Sequence, residues 1–422
     1  MNKTRLFKKT LLAATIALST QQAMAAGFQL NAQSATGLGR AFAGDAVIAD
    51  NASVMARNPA AMALFDKMSL SLGFESITTM IEVKDATYNG VPGVVGDTDD
   101  VGGTSIAPNI HLIVPVNDKF AWGVNAYTNF GTKTEFSSSY VASEYGGTTD
   151  VKSFNLGLAG SYRANEHLSV GLGLDAIYGQ GTFQRYAGSV LGGALGAPAG
   201  TPLVDVDGAD GWAFGFNVGA VYELDENNRF GLAYRYSPEF TAKDDEGQEI
   251  TLPLPDIAEF SGYHKIDNTQ FAVHYSIQWI GWGDFDNIEI DNLDATKSPI
   301  ATQLAALQGS SKYTKAYAWQ DGWHYSIGGT YYLNSDWTLR AGYMYDTSAQ
   351  DDVRSISVPD SDRQWLSAGF TYNVDSASNI DFGFTYLIGE DIAVTEDSAQ
   401  TVLTATTRAD AVLVGLQYSR SF

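Results

Sequence analysis

The 422-residue chain carries a formal net charge of −23 and no cysteine, and it is rich in Gly (43), Tyr (22) and Phe (21). Without cysteine there is no disulfide framework, thiol nucleophile or thiolate metal site, and so acidic a surface repels nucleic acid. Charged residues make up only 17% of the chain, yet past the first 25 residues no stretch approaches the roughly 20 apolar residues of a membrane helix.

The first residues have the three parts of an export signal in order. Lys3, Arg5, Lys8 and Lys9 are basic, Leu11 to Leu18 is a short apolar run, and Ala23-Met24-Ala25 is a small-x-small cleavage site. Cleavage is expected after Ala25, so residues 1–25 are the signal peptide and the mature chain starts at Ala26. The leader has four basic residues and no acid, so its removal leaves the remainder four charges more negative. Length alone would allow two or three soluble domains. An exported chain with abundant Gly and aromatics but no helical span fits a transmembrane β-barrel better.

Residues 26–66 do not read as wall. Gly37, Gly39 and Gly44 break any strand, Ala41 to Asp50 and Ala52 to Arg57 suit short helices, and Asn58-Pro59 forces an extended or turn backbone. The economical place for this segment is the lumen, as a plug, since a wide barrel leaks unless filled.

From Ser69 onward the pattern has period two. Leu168, Val170, Leu172, Leu174 and Tyr178 alternate with Gly171, Gly173, Asp175 and Gly179. Trp212, Phe214, Phe216, Val218 and Tyr222 alternate with Ala213, Gly215, Asn217 and Gly219, and Ile380, Phe382, Phe384, Tyr386 and Ile388 with Asp381, Gly383, Thr385 and Gly389. The C-terminus sets Val412, Val414, Leu416, Tyr418 and Phe422 against Leu413, Gly415, Gln417, Ser419 and Ser421, with Arg420 as the outward exception. Such alternation predicts lipid on one face and lumen on the other.

Six connections are short and rich in Asn and Asp: 117–118, 164–166, 225–228, 267–268, 334–335 and 375–378. These residues suit the φ > 0 positions of tight hairpins. Seven longer stretches alternate with them, near 84–104, 134–150, 185–210, 244–255, 284–318, 349–361 and 392–408. Thirteen connections predict an all-β fold, a fourteen-stranded antiparallel transmembrane barrel over residues 67–422 with both wall ends in the periplasm.

Gly27-Phe28-Gln29-Leu30, Gly37-Leu38-Gly39-Arg40-Ala41 and Arg57-Asn58-Pro59-Ala60 resemble the hatch of the FadL family of outer-membrane long-chain fatty acid transporters. The resemblance runs on through Ala107-Pro108-Asn109, Thr134-Glu135-Phe136, Gly146 to Asp150, Tyr222-Glu223-Leu224, Trp337 to Arg340, Arg354 to Ser357 and Asp362 to Ser367. It implies a fourteen-stranded barrel with an N-terminal hatch at 26–66. It also implies passive uptake in three stages: capture among extracellular loops, binding in an apolar pocket, and sideways release beside a kink in the third strand. Asn58, Pro59 and Ala60 are then expected near that kink as gating residues.

The resemblance places Arg185, Lys315 and Asp346 at the ligand-binding site, two cations and one anion that leave a net positive spot for a carboxylate, with Phe28 reaching the pocket. Spacing alone favours reading each charge as an ordinary one at the barrel lip, and it is the resemblance that assigns them to the site. The 185–210 loop contains Val190 to Leu195, either part of a ligand groove or a flexible loop. The chain departs from the family pattern in a short 244–255 loop and a long 284–318 loop whose Ile300 to Leu307 suits an amphipathic helix, so no capture residues are assigned.

No catalytic residue, cofactor or metal is expected. His111, His167, His264, His274 and His324 are scattered, there is no convincing Gly-x-Ser-x-Gly elbow, and the acid pairs Asp99-Asp100, Asp244-Asp245 and Asp351-Asp352 lie in loops. A Gly-Lys-Ser/Thr phosphate loop is also missing. The expected partners are a fatty acid or similar apolar ligand, outer-membrane lipid and lipopolysaccharide, and the barrel-assembly machinery, which reads the terminal Phe422; nucleic acid is not expected. The chain is expected to be a monomer in the outer membrane of a Gram-negative bacterium. Alternatives from the same sequence are uptake of aromatic hydrocarbons, a surface adhesin or phage receptor, and a general porin, against which the plug argues.

Overall fold

A computed structural model describes residues 27–422 except positions 96, 99, 138, 308 and 399. The expected signal peptide and its cleavage point lie outside the described residues, as does Asp99.

Fourteen antiparallel wall strands follow one another around a closed barrel. They are β1 (Ser69–Tyr88), β2 (Thr104–Pro115), β3 (Phe120–Tyr127 and Gly131–Glu135), β4 (Thr148–Arg163), β5 (Leu168–Tyr186), β6 (Pro202–Glu223) and β7 (Asn228–Tyr236 and Glu239–Lys243). Then come β8 (Glu249–Pro253 and Ile257–Lys265), β9 (Phe271–Ile280 and Asn287–Asp291), β10 (Tyr313–Ala316 and Gly322–Tyr332), β11 (Trp337–Asp346), β12 (Arg363–Asn373), β13 (Ser378–Gly389 and Ile392–Asp397) and β14 (Val402–Ser421). The ring closes where β1 pairs with β14, from Ser69 opposite Ser421 to Tyr88 opposite Leu403. Closure pairs the first and last strands with each other, so neither is left as a free sheet edge in lipid.

Sidedness follows the period-two reading. Leu172, Leu174 and Phe214 are exposed on the outer face, while Asp175, Asn217, Asp381 and Gln417 are buried in the lumen. Ring pairs mark the rim beside the short turns: Phe120 with Tyr162, Phe271 with Tyr331, and Trp337 with Tyr372, at centroid separations of 4.9, 4.6 and 4.8 Å. Such pairs suit the membrane–water interface, where one side of the ring is wet.

Two details of the wall differ from expectation. Among the short turns only Asn268 takes a positive φ. Elsewhere the turn is closed by a side-chain oxygen: Asn117 Oδ1 accepts from Lys119 and Phe120 N, Asn165 Oδ1 from His167 and Leu168 N, and Asn334 Oδ1 from Asp336 and Trp337 N. Asn and Asp serve there through their acceptors rather than through left-handed backbone. Second, much of the expected loop at 392–408 is wall, since Ile392–Asp397 pairs with Val402–Thr407. Above the bilayer the outer face no longer needs apolar side chains, so strand there reads as polar loop.

Residues 27–65 run through the lumen. Their helical pieces are α1 (Ala35–Leu38), α2 (Val54–Arg57) and a 3-10 turn over Pro59–Leu64. The helix expected over Ala41 to Asp50 is absent, because Ala41 and Phe42 adopt φ of 53° and 57°, outside the helical region. The segment touches wall on every side. Ala52 N donates to Ser71 Oγ of β1, Ala46 N to Ser261 Oγ of β8, Gly44 N to Ser276 Oγ of β9, and Ala35 N to Gln417 Oε1 of β14. Wall glycines admit its backbone: a Cβ on Gly342 would lie 2.1 Å from Arg40 O, and one on Gly171 2.3 Å from Ala60 N.

Candidate functional site

The lumen's extracellular half is apolar because three of the interrupted wall strands turn aromatic side chains into it. β3 breaks at 128–130, β9 at 281–286 and β10 at 317–321, and each break turns aromatic rings inward. Phe130, Trp282, Phe285 and Trp319 surround Phe28, with ring centroids 6.3, 4.5, 5.6 and 5.7 Å from it. Ile177, Phe183, Val204, Val206, Ile250 and Ile288 continue the apolar surface around them. Sequence reasoning found Phe28 but missed the four rings around it, since Gly281-Trp282-Gly283-Asp284-Phe285 breaks the alternation that marked the wall.

Arg185 ends β5 at the margin of this cluster and is buried, 2% exposed. Its Nη1 donates to Thr148 O (2.9 Å) and Gln184 O (2.8 Å), its Nη2 to Thr149 Oγ1 (2.8 Å), and its guanidinium lies 4.1 Å from the Phe183 ring centroid. These acceptors are neutral, and no carboxylate lies within ion-pair distance among the described residues. Lys315 in β10 shares with Arg185 the electrostatic neighbourhood of Tyr313, Tyr317 and Glu396. Its Nζ is 2.5 Å from Glu396 Oε2, and Glu396 also accepts from Ile356 N and Ser355 Oγ at 2.8 and 3.1 Å.

Asp346 belongs to a different network. It is fully buried, with Arg363 Nε and His324 Nε2 each 3.2 Å from its oxygens, and Arg363 Nη2 reaches Asp360 at 2.6 Å. Asp360, in the loop between β11 and β12, accepts from Ala349 N (2.7 Å) and Gly27 N (3.3 Å). Burial raises its carboxyl above the ordinary range and the nearby Asp346 adds to this, while Arg363 opposes. The expected single spot of two cations and one anion is thus divided. Lys315 is neutralised by Glu396, Asp346 is held by Arg363 and His324, and Arg185 is the cation facing neutral groups.

Asn58-Pro59-Ala60 stands away from the kink in β3. Asn58 Nδ2 donates to Ala46 O (2.8 Å) and to Ala220 O of β6 (3.1 Å), its Oδ1 accepts from Ala60 N (3.0 Å), and Pro59 and Ala60 pack on Gly171 of β5. The backbone on the kink belongs to Phe28–Leu30 instead: Leu30 N donates to Asn129 O (2.6 Å) and Gly131 N to Phe28 O (2.9 Å). The reason is steric, since Gly171 and Gly219 provide the close approach that the Asn-Pro turn needs. A Cβ on Gly219 would lie 1.9 Å from Asn58 Oδ1.

The kink also leaves the wall incompletely paired. β2 meets β3 only over Ile110–Pro115, opposite Ala121–Ala126, although β2 pairs with β1 on its other side from Thr104 onward. Thr104–Asn109 therefore has no strand partner towards β3, and contact resumes where Glu135 N donates to Val101 O at 3.0 Å. At the extracellular tip, α3 (Ser189–Leu195) and α4 (Pro299–Leu307) occupy the two loops that were expected to hold apolar or helical segments. Leu191 and Ile300 are buried, while Val190 and Leu307 are exposed.

Comparison with known proteins agrees with this architecture. Residues 16–422 match the family described as outer membrane protein transport protein (OMPP1/FadL/TodX). The chain is 35% identical to a long-chain fatty acid transport protein of Escherichia coli O6:H1 over the full length of both, and 33% identical to outer membrane protein P1 of Haemophilus influenzae over 99% of both. A solved FadL homologue of Pseudomonas aeruginosa superposes with a TM-score of 0.80 at 20% identity, over 94% of this chain and all of that one. The toluene transporter TodX of Pseudomonas putida superposes with a TM-score of 0.67 at 19% identity, over 94% and 99%. The fourteen-stranded wall, the chain-filled lumen and a family match over nearly the whole length agree: this chain belongs to the OMPP1/FadL/TodX family of outer membrane transport proteins and is a β-barrel of the outer membrane.

Proposed function

We propose that the protein is a passive channel for long-chain fatty acids, gated by its N-terminal segment. The ligand is captured among the extracellular loops, held with its tail in the cluster around Phe28 and its carboxylate on Arg185, and released sideways between β2 and β3. The observation that carries this reading is Arg185, a buried cation with only neutral acceptors beside an apolar cluster. A carboxylate is the partner such a guanidinium lacks. Phe28 fills the cluster itself, so the tail displaces it, and Phe28–Leu30 is bonded to the kink beside the unpaired edge of β2. That linkage couples filling of the pocket to the wall. Sideways release also suits the cargo: each buried methylene is worth about 0.8 kcal/mol, so an acyl chain delivered to water would lose most of its driving force.

A second reading, uptake of aromatic hydrocarbons, draws on the five rings gathered at Phe28, and it leaves Arg185 without a role. Uptake of labelled oleate and toluene by cells lacking their own transporter separates the two. Oleate should enter with the intact chain, and Arg185→Ala should weaken oleate binding about 10- to 100-fold, as expected for a charge-assisted hydrogen bond. Uptake of toluene without oleate would overturn the fatty acid reading.

A further inference from the structure

Below the aromatic cluster lies a small cavity of about 20 Å³, room for roughly one water molecule, with a different character. Its lining includes Gln29, Gln33, Arg57, Asn129, Arg235 and Glu259. It adjoins both ends of the proposed route, because Ile257 belongs to its wall and to the apolar cluster, while Asn129 belongs to its wall and to the kink. Gln29 and Gln33 are 2% and 3% exposed, and each donates its amide NH₂ to the Leu30 carbonyl, that of Gln29 also to Asn31 Oδ1. Their Oε1 atoms are left without a hydrogen-bond partner. Buried amide oxygens in that state call for a donor. Of the two guanidiniums, Arg57 lies 3.5 and 3.7 Å from its acids and donates to Asn31 Oδ1 while its Nε has no hydrogen-bond partner, and Arg235 is paired with Asp175 and donates to Ala56 O.

An amphiphile moving sideways has two parts with opposite needs. Its tail can pass along apolar surface into the bilayer. Its polar head, once it leaves Arg185, cannot cross a dry apolar interior unpaired. We infer that this cavity is a transit site for the head group of the amphiphile, whose protonated carboxyl takes the place of a water there between Arg185 and the opening beside β3. Such a guest both donates and accepts, as the mixed lining requires. The inference rests on the fatty acid reading above and adds to it a second polar station, selective for cargo that has a head.

The test uses the full-length, membrane-inserted protein carrying Gln33→Leu or, independently, Gln29→Leu, each close in size to the residue replaced. Purified variants should bind oleate within about twofold of the unmodified protein, because Arg185 and the rings are untouched. Oleate uptake should fall at least about fivefold, and Gln33→Asn, which keeps the amide, should restore most of it. Uptake within about twofold of normal in both Leu variants, or an equal loss with Gln33→Asn, would overturn the transit site. Failure of the unmodified protein to bind or import oleate would instead overturn the fatty acid reading itself.

Discussion

At the scale of single residues, the charges in the lumen fall into paired and unpaired sets. Lys315 and Glu396 form a pair in which the acid is almost wholly buried and also tethers the Ser355–Ile356 backbone. Lys315→Met should therefore cost roughly 1–3 kcal/mol, because Glu396 keeps its charge without a cation. Adding Glu396→Gln should recover much of this, an outcome checked by denaturant titration of the refolded barrel. A sum of independent losses would show that the pair does not act as one unit. Arg185, Lys315, Phe28 and Asp346 were all named from the sequence through family resemblance. Their grouping was not legible there, since it depends on which carboxylate reaches which cation. Glu396 comes from an outer extension of β13 that reads as polar loop, and Asp360 and Arg363 stand at the end of a long connection whose path no periodicity describes.

At the scale of elements, the wall was legible and its interruptions were not. Alternation gives the inward and outward faces of β5, β6, β13 and β14 because lipid and lumen impose opposite demands on successive residues. The breaks in β3, β9 and β10 violate that rule, and they carry the aromatic cluster. Breaks of this kind are expected to be functional, since a local departure from wall geometry has to be offset elsewhere. The break in β3 can be tested directly. Gln29 and Phe130 face each other across the bridge between the N-terminal segment and the kink, flanked by the bonds from Leu30 and Gly131. In antiparallel geometry this is the closely spaced, non-hydrogen-bonded type of pair. A double cysteine variant at 29 and 130 should form a disulfide that stops oleate uptake, and reduction should restore it to the level of the reduced variant. Equal uptake in both redox states would mean that the segment need not leave the kink.

At the scale of the molecule, the barrel wall closes on itself with its ladder left incomplete beside β3, and the lumen is filled by residues 27–65 rather than by wall side chains. Removing residues 28–66 should leave an insertable barrel, because the wall hydrogen bonds lie within and between β1 to β14. The lumen should then pass hydrophilic solutes. Cells producing this variant should become sensitive to large hydrophilic antibiotics, and the purified protein should show a steady conductance in planar bilayers. A silent, non-conducting barrel would mean that the wall side chains and extracellular loops close the lumen unaided.

The seam where β1 meets β14 has a bearing on assembly. The strands that close the ring are the same ones that hold the N-terminal segment, through Ser71, whose hydroxyl lies 3.0 Å from that of Ser419, and through Gln417. Residues 27–65 must therefore be gathered inside an unfinished hoop while the last strand is still being laid. A hoop that shut early would strand them outside, and no later step short of reopening the seam would let them in. The order of synthesis, inner piece first and closing strand last, is the order in which such an object can be put together.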